Sequence, residues 1–285
     1  MMLIADSGST KTNWSIIGED GIPRFFDTEG YNPYFQNSKA IASSLSGSLP
    51  ADLDRRAVGG IHFYGAGCFE DKADIVAAAL RELFPAAKIF VGLDLFGSAR
   101  ALLGNGPGFI AILGTGANTG LYDGTRITAN IDSLGYLLGD EGSGYYIGKK
   151  LLGDFIRGYM PAPVAGELAS TYSVTRESIM TRLYSGPSPN RYCAGFVPFL
   201  ENSQADVDYT RGLVASAFAD FFKCLVCKYA DYKRYSFNCT GSVAYAFRDI
   251  LADTAARYQM PWGTVLKAPI QGLVGYHGGL YIKLF

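Results

Sequence analysis

The sequence predicts an α/β protein of two domains, each built on a sheet of mixed strand direction with helices packed against it. Three observations carry that expectation. The first hundred residues alternate apolar runs and amphipathic stretches in the order βββαβα. A glycine-rich break, "GNGPG" (104–108), then interrupts the pattern as an inter-domain crossing would. After it the opening theme returns. "LIADSGSTKTNWSIIGEDG" (3–21) and "FIAILGTGANTGLYDG" (109–124) both read as apolar arm, small polar bend, apolar arm and turn, one such hairpin per domain. A length of 285 residues suits two domains.

Taken in order, Leu3–Asp6, Thr12–Ile17 and Pro23–Thr28 read as strands, with Glu19-Asp20-Gly21 as the plainest turn. Ser38–Leu49 has helical spacing, and "GGIHFYGAG" (59–67) is a strand ending in a glycine turn. Asp71–Leu83 is an amphipathic helix with Ile75, Val76, Ala79, Leu80 and Leu83 on one side. "KIFVGLD" (88–94) is a short strand that passes directly into a helix over Leu95–Leu103. Beyond the crossing, helices are expected at Gly144–Tyr159, Thr175–Tyr184 and Asp206–Tyr232. In the last of these Leu213, Val214, Ala217, Phe218, Phe221, Leu225 and Tyr229 keep helical spacing. Residues 235–258 read as strand, Gly-Ser bend and helix. A strand at "TVLKAP" (264–269) and a helix over Ile270–Phe285 close the chain. The expected domains are 1–106 with 270–285, and 107–269.

Composition narrows the function. With 48% apolar and 18% charged residues a core is available, and a net charge of −1 leaves no electrostatic footprint for nucleic acid or an anionic membrane. Any polyanion must be gripped locally. Glycine, at 35 residues, well exceeds the usual share of about 7%, and many glycines cluster where apolar runs end. No apolar run approaches the roughly 18 residues of a membrane span, and Met1-Met2 leads straight into a strand, so a cytoplasmic protein is expected. Cys68, Cys193, Cys224, Cys227 and Cys239 then read as reduced thiols, mostly core fillers. "CLVC" (224–227) lacks the second pair of a structural zinc site and is expected on the core side or flank of its helix. His62 and His277, each without a second ligand at metal spacing, read as packed or surface histidines.

The two bends hold the chemistry. Backbone N–H groups converging in a glycine-rich turn form a nest for phosphate without excess positive charge. Asp6, at the end of the first arm, cannot touch phosphate directly; it suits Mg²⁺ held through water. Lys11 can meet a terminal phosphate as a point charge.

"DSGSTKTNW" (6–14) resembles the first phosphate motif of the actin-like sugar kinase and heat-shock ATPase superfamily. "GTGANTG" (114–120) resembles its second phosphate motif and "CTGSVAYAF" (239–247) its adenosine motif. "DLFGSARALLGNG" (94–106) and "GLVGYHGGLYI" (272–282) are similar to its two connecting helices. The resemblance implies two ribonuclease-H-like domains with a nucleotide cleft between them and ATP with Mg²⁺ as cofactors. Ser9, Thr10, Lys11, Thr12, Gly114, Thr115 and Gly116 would lie along the phosphates, and Gly241 and Ser242 would flank adenosine. Within the superfamily, "SLGYLLGDEGSGYYIGKKLL" (133–152) resembles N-acetylglucosamine kinases, grouped with the BadF/BadG/BcrA/BcrD-type ATPases. As a helix start the segment also offers Asp140 or Ser143 as cap.

That likeness implies an ATP-dependent kinase of an amino sugar, N-acetylglucosamine at its 6-hydroxyl, with a small sugar as its partner and neither nucleic acid nor membrane. A homodimer would be in keeping with it. Asp94, following an apolar strand and heading a small-residue helix, matches the catalytic base. Where these kinases often read Asn-Asp, this chain has Leu93, which leaves the base intact and changes its neighbour. By the same likeness Asn32, Asp94, Thr115, Asn118, Ser133, Asp140 and Gly144 border the sugar. Tyr31, Tyr34 and Phe35 offer rings to stack on it or to pack in the core. Two alternatives share the fold: an iron–sulfur ATPase that activates a partner enzyme through cysteines, and an amino-sugar sensor without catalysis.

Overall fold

The computed structural model describes residues 1–8 and 10–278. Its strands are β1 (Met2–Ser7), β2 (Lys11–Ile17), β3 (Pro23–Glu29), β4 (Gly60–Gly65), β5 (Lys88–Leu93), β6 (Gly108–Leu113), β7 (Ala117–Tyr122), β8 (Ile127–Ala129), β9 (Phe237–Thr240) and β10 (Trp262–Leu266). The helices are α1 (Ser38–Ser48), α2 (Lys72–Leu83), α3 (Asp94–Leu103), α4 (Gly135–Leu138), α5 (Gly144–Arg157), α6 (Ala162–Tyr172) and α7 (Arg176–Ser185). They continue as α8 (Pro189–Ala194), α9 (Val197–Asn202), α10 (Val207–Cys224), α11 (Ser242–Ala246), α12 (Arg248–Arg257) and α13 (Ile270–His277). The chain forms two compact units. One comprises Met1–Ile110, Tyr122–Thr128 and the described part of Ala268–Phe285; the other comprises Ala111–Leu121 and Ala129–Lys267.

In the first unit the sheet order is β3-β2-β1-β4-β5. β2 runs antiparallel to β1 and β3, while β4 and β5 follow β1 in parallel. Alternation along the strands sorts the side chains onto two faces. Leu3, Ala5, Trp14, Ile16, Ile61 and Phe63 join Ile41, Leu45, Val76 and Leu80 of α1 and α2 in one core. Ile4, Ile17 and Tyr64 face the other way, onto Ile270 and Leu273 of α13. Trp14 is wholly buried, stacks on Phe26 with centroids 5.7 Å apart, and donates its indole N–H to Thr28 Oγ1 at 3.1 Å.

The second sheet runs β10-β9-β6-β7-β8, with β9 and β10 parallel; Gly108–Ile110 of β6, Tyr122 of β7 and Ile127–Thr128 of β8 group with the first unit and the rest of the sheet with the second. Its connections are more helical than the sequence suggests. α6, α8 and α9 escape periodicity because each carries a proline in its first turn, and α8 and α9 are too short for an apolar pattern to register. The expected long helix over 206–232 ends at Cys224. Leu225, Val226 and Tyr229 stay buried by leaving the helix through a 3₁₀ turn, which brings the Tyr229 hydroxyl to Thr119 Oγ1 and the Ile131 N–H, each at 2.9 Å. Cys224 is consequently exposed and Cys227 lies in the turn, whereas Cys68, Cys193 and Cys239 are buried. The strand expected at 264–269 starts two residues earlier, and the final helix is described as far as His277. Among the described residues no helix is long and apolar enough to cross a membrane.

Candidate active site

In the first unit the chemistry gathers at the carboxyl ends of the parallel strands, the edge where open α/β sheets bind ligands. β1 ends Asp6-Ser7, and β5 passes without a linker into α3, whose first residue is Asp94. Asp6 sits opposite Asn13 in the β1–β2 ladder, and the Asn13 amide donates to Asp6 Oδ2 at 3.3 Å. Asp94 Oδ1 accepts the N–H of Leu95 at 2.8 Å. Burial lifts the Asp6 carboxyl to about 7 against the pull of the Asn13 amide, and the nearby charge of Asp94 adds to the rise. Burial likewise pushes Asp94 up to about 6, with the Leu95 N–H drawing it back. Two partly buried carboxylates thus lie near enough for Asp6 to feel the charge of Asp94.

The first bend is tighter than its composition suggests. Gly8 N–H donates to Lys11 O at 3.0 Å, and Thr10 O accepts from Gly30 N–H at 3.0 Å. Ser9 lies outside the described residues. The Thr12 hydroxyl is turned into the core, 2.7 Å from Ser7 Oγ and donating to Glu29 O at 2.9 Å. Alternation in β2 faces that hydroxyl inward, onto Ser7 and Glu29. Lys11 Nζ forms an ion pair with Asp27 at 2.8 Å, both side chains half exposed. Asn32 is folded onto the turn that follows β4. Its Oδ1 accepts from Tyr34 N–H at 3.0 Å and would stand 2.6 Å from a Cβ at Gly67, whose φ of +76° already demands glycine. Of the neighbouring aromatics, Tyr31 is core, while Tyr34 and Phe35 are exposed.

In the second unit the bend Gly114–Gly116 between β6 and β7 closes with Gly114 N–H on Gly116 O at 3.0 Å. The start of α5 is tied to it: Gly144 N–H reaches Gly114 O at 2.8 Å, and Tyr145 N–H reaches Thr115 O at 3.0 Å. Ser143 caps the helix through Tyr146 N–H, settling which residue of "GDEGS" does so. Asp140 is buried with a left-handed backbone (φ +58°), and its Oδ1 accepts Ala117 N–H at 3.0 Å. Burial raises its pKa, opposed by Ala117 N–H and the Ser133 hydroxyl, while Glu141 and Asp132 push it further up. Ser133, Asp140 and Gly116 thus form one cluster, with Asp140 oxygens 3.2 Å from where a Gly116 Cβ would stand. Asn118 is anchored nearby in β7, its Oδ1 accepting Asn130 Nδ2 at 2.9 Å.

Gly144, expected beside the sugar, is closely packed. It is enclosed between Gly114 O, Ala194 and Val243, and its N–H is bonded to Gly114 O, so it allows α5 to pack closely. Gly241 (φ +128°) lies directly against the bend; a Cβ there would come within 2.1 Å of Leu113 O. Exposed Ser242 opens α11 beside it. Sequence reading missed Asn13 and Ala117. Asn13 had a signal, since pairing the arms of the first hairpin sets it opposite Asp6; Ala117 had none.

No protein-family model and no curated protein matches the chain. Solved structures do. A protein of Porphyromonas gingivalis carrying the provisional name N-acetylglucosamine kinase is 36% identical, with a TM-score of 0.91 over 99% of this chain and 100% of that one. A protein of Chromobacterium violaceum with the same provisional name is 19% identical, with a TM-score of 0.70 over 96% of this chain and 98% of that one. A ROK family glucokinase of Streptomyces griseus, in complex with glucose and AMPPNP, is 16% identical with a TM-score of 0.53, over 96% and 97%. The last two likenesses bear on fold alone. Two five-stranded sheets, each with a glycine bend in its central hairpin, define an α/β protein of the actin-like ATPase fold. Within that class, the extent and identity of the Porphyromonas likeness place the chain in the N-acetylglucosamine kinase-like family.

Proposed function

We propose that the protein is an ATP-dependent kinase that phosphorylates an amino sugar, N-acetylglucosamine at its 6-hydroxyl. The observation that carries this reading is the pair Asp6 and Asp94 on neighbouring strand ends of one sheet edge, close enough for Asp94 to raise the pKa of Asp6. Phosphoryl transfer asks for this division of labour: one acid on the metal and phosphate side, another to receive the proton of the attacking alcohol. Asp94 Oδ1 is occupied by Leu95 N–H, which leaves Oδ2 for the acceptor hydroxyl. With its pKa near 6, Asp94 is ionised at neutral pH yet basic enough to draw off that proton as oxygen attacks the γ-phosphorus and ADP departs.

The residues fit Mg²⁺. Asp6 shares its surroundings with a second carboxylate, and the side-chain hydrogen bond it accepts among the described residues comes from a neutral amide, a combination that a divalent cation relieves. Asp6 would hold the ion with waters and phosphate oxygens completing its shell, and when bound Mg²⁺ neutralises phosphate charge. In the second unit the Gly114–Gly116 bend serves the phosphates, Gly241 and Ser242 flank adenosine, and Asp140 with Ser133 receives sugar hydroxyls. The likeness to the Porphyromonas protein supports the amino sugar as substrate.

A coupled ADP-release assay over N-acetylglucosamine, glucosamine, N-acetylmannosamine and glucose tests the reading, with the phosphorylated position read by NMR. Sugar-dependent release strongest with N-acetylglucosamine, and a 6-phosphate product, are expected. ADP release indifferent to every sugar would overturn it.

A further inference from the structure

We propose that Tyr64 and Arg100 are positioning residues for the reaction: together they fix α3 over the first sheet and thereby the place of Asp94, the first residue of that helix. The inference rests on the reading of Asp94 as the base.

Tyr64 lies beside Asp6 in the sheet, paired with it across β1–β4 and with Gly92 across β4–β5. Its ring projects from the face that packs with α13. α3 meets this side chain at two successive turns. At Gly97 a Cβ would stand 2.7 Å from Tyr64 Cβ and 2.8 Å from Cγ, so the helix rests on the tyrosine more closely than any side chain permits. One turn later Arg100 Nη1 donates to the Tyr64 hydroxyl at 2.5 Å. The same hydroxyl is 2.8 Å from His277 Nε2 on α13.

Arg100 is held in an unusual way. Among the described residues no carboxylate pairs with it. Its guanidinium instead stands over the rings of Phe96 at 4.1 Å, Tyr276 at 5.0 Å and Phe90 at 5.3 Å. An aromatic cage around a planar cation fixes direction as well as distance, which a solvated lysine would not do. From the far side α13 closes on α3 at Gly272, where a Cβ would fall 2.5 Å from Ala101 O. His277 is itself stacked on His62 at 3.9 Å.

α3 is therefore held against β4 at Gly97 and Arg100 and against α13 at Ala101, while its amino-terminal residue is Asp94. Six residues of helix separate Asp94 from Arg100, a lever of about 9 Å, so a tilt of about 6° displaces the carboxylate by about 1 Å. Displacements of that size reach roughly 100-fold in rate when a reacting group is concerned.

The test compares Arg100→Met, Arg100→Lys and Tyr64→Phe with the unaltered protein. Steady-state kinetics on the amino sugar, Mg·ATP binding and a carbon-13 NMR titration of Asp94 in the ligand-free protein are the readouts. Arg100→Met should lower kcat by about 10- to 100-fold with the ATP KM within about twofold, and Arg100→Lys should recover only part of the loss. Tyr64→Phe, which keeps the ring under Gly97, should lower kcat by about tenfold. In all three the Asp94 titration should fall from about 6 toward the ordinary 3.8 as water reaches it. A kcat within twofold in folded Arg100→Met overturns the proposal, as does a rate loss with Asp94 titrating unchanged. Should Arg100→Met not fold, Tyr64→Phe is judged by the same criteria. If the unaltered protein turns over no sugar, the kinase reading fails by itself, and the Asp94 titration in Tyr64→Phe still decides the clamp.

Discussion

The two sheets share one strand order and differ in how they carry charge. Written from the same side, the sheets run β5-β4-β1-β2-β3 and β10-β9-β6-β7-β8, each strand of the second matching the strand five earlier. Both place a glycine-rich bend in the hairpin at the sheet's centre. In the first unit acids stand on the strand ends themselves, Asp6 on β1 and Asp94 after β5. The matching places in the second are Ile112 near the end of β6 and Lys267 after β10. Its acid, Asp140, comes from the connection between β8 and β9 (130–236), whose counterpart in the first unit is the short stretch 30–59. A repeated strand order thus supplies a tight bend in each sheet, and each unit adds its own side-chain chemistry. The first contributes acids poised to change protonation, the second a bend braced by Asp140 and α5.

Asp94→Asn should break the contrast most sharply, cutting kcat about 100-fold or more while Mg·ATP binding stays near normal. In the unaltered protein kcat should fall on acidification with an apparent value near 6, since the base works only when ionised. A mutant rate near that of the unaltered protein removes Asp94 from the role.

In the second unit the largest effect should be on stability. Gly241→Ala forces a Cβ against Leu113 O at a φ of +128°, and about 2–4 kcal/mol should be lost in denaturant titration. Gly21→Ala, at φ +71° with nothing within 4 Å, should cost only about 1 kcal/mol. Equal losses would show that the approach to the bend does not matter.

Asp140→Ala should weaken both functions of that residue. Ala117 N–H loses its partner, worth about 1–3 kcal/mol, and the sugar KM should rise about tenfold or more. An unchanged KM would confine Asp140 to bracing the bend.

Asp6 should show the opposite sign. Its pKa is raised on folding from 3.8 to about 7, so the folded state holds the proton more tightly. The group costs nothing below the unfolded value and destabilises progressively as pH rises through that window. Metal-free Asp6→Asn should therefore be more stable than the parent at pH 8 by about 1–3 kcal/mol and no different near pH 4. A difference independent of pH refutes the assignment. Smallest of all, Lys11→Ala should alter stability by less than about 1 kcal/mol because its pair with Asp27 is half exposed, leaving the ATP KM to report any phosphate contact.

Local chemistry was legible in the chain. The bends announced themselves as small residues between apolar arms, and Asp94 as an acid where a strand turns into a helix. Both signals lie within a few residues, because turn preference and side-chain alternation are short-range effects. The end of α10 was not legible, since apolar spacing continues through Leu225 and Tyr229 after the helix has stopped. What stopped it was the docking of Tyr229 on Thr119 and Ile131, a hundred residues away in the chain. The partners of Thr12 and Lys11 were hidden for a related reason: Ser7, Glu29 and Asp27 become their neighbours only when three strands pair.

By itself the sequence determined where the backbone could bend tightly and which acids stood at strand ends, because conformational preference and hydrophobic period belong to neighbouring residues. Only the tertiary structure decided which groups share a surrounding: Asp6 with Asp94, His62 on His277, and Arg100 in its ring of aromatics. Protonation and orientation follow from burial and from charges distant in the chain, and those exist only once the strands and helices have packed.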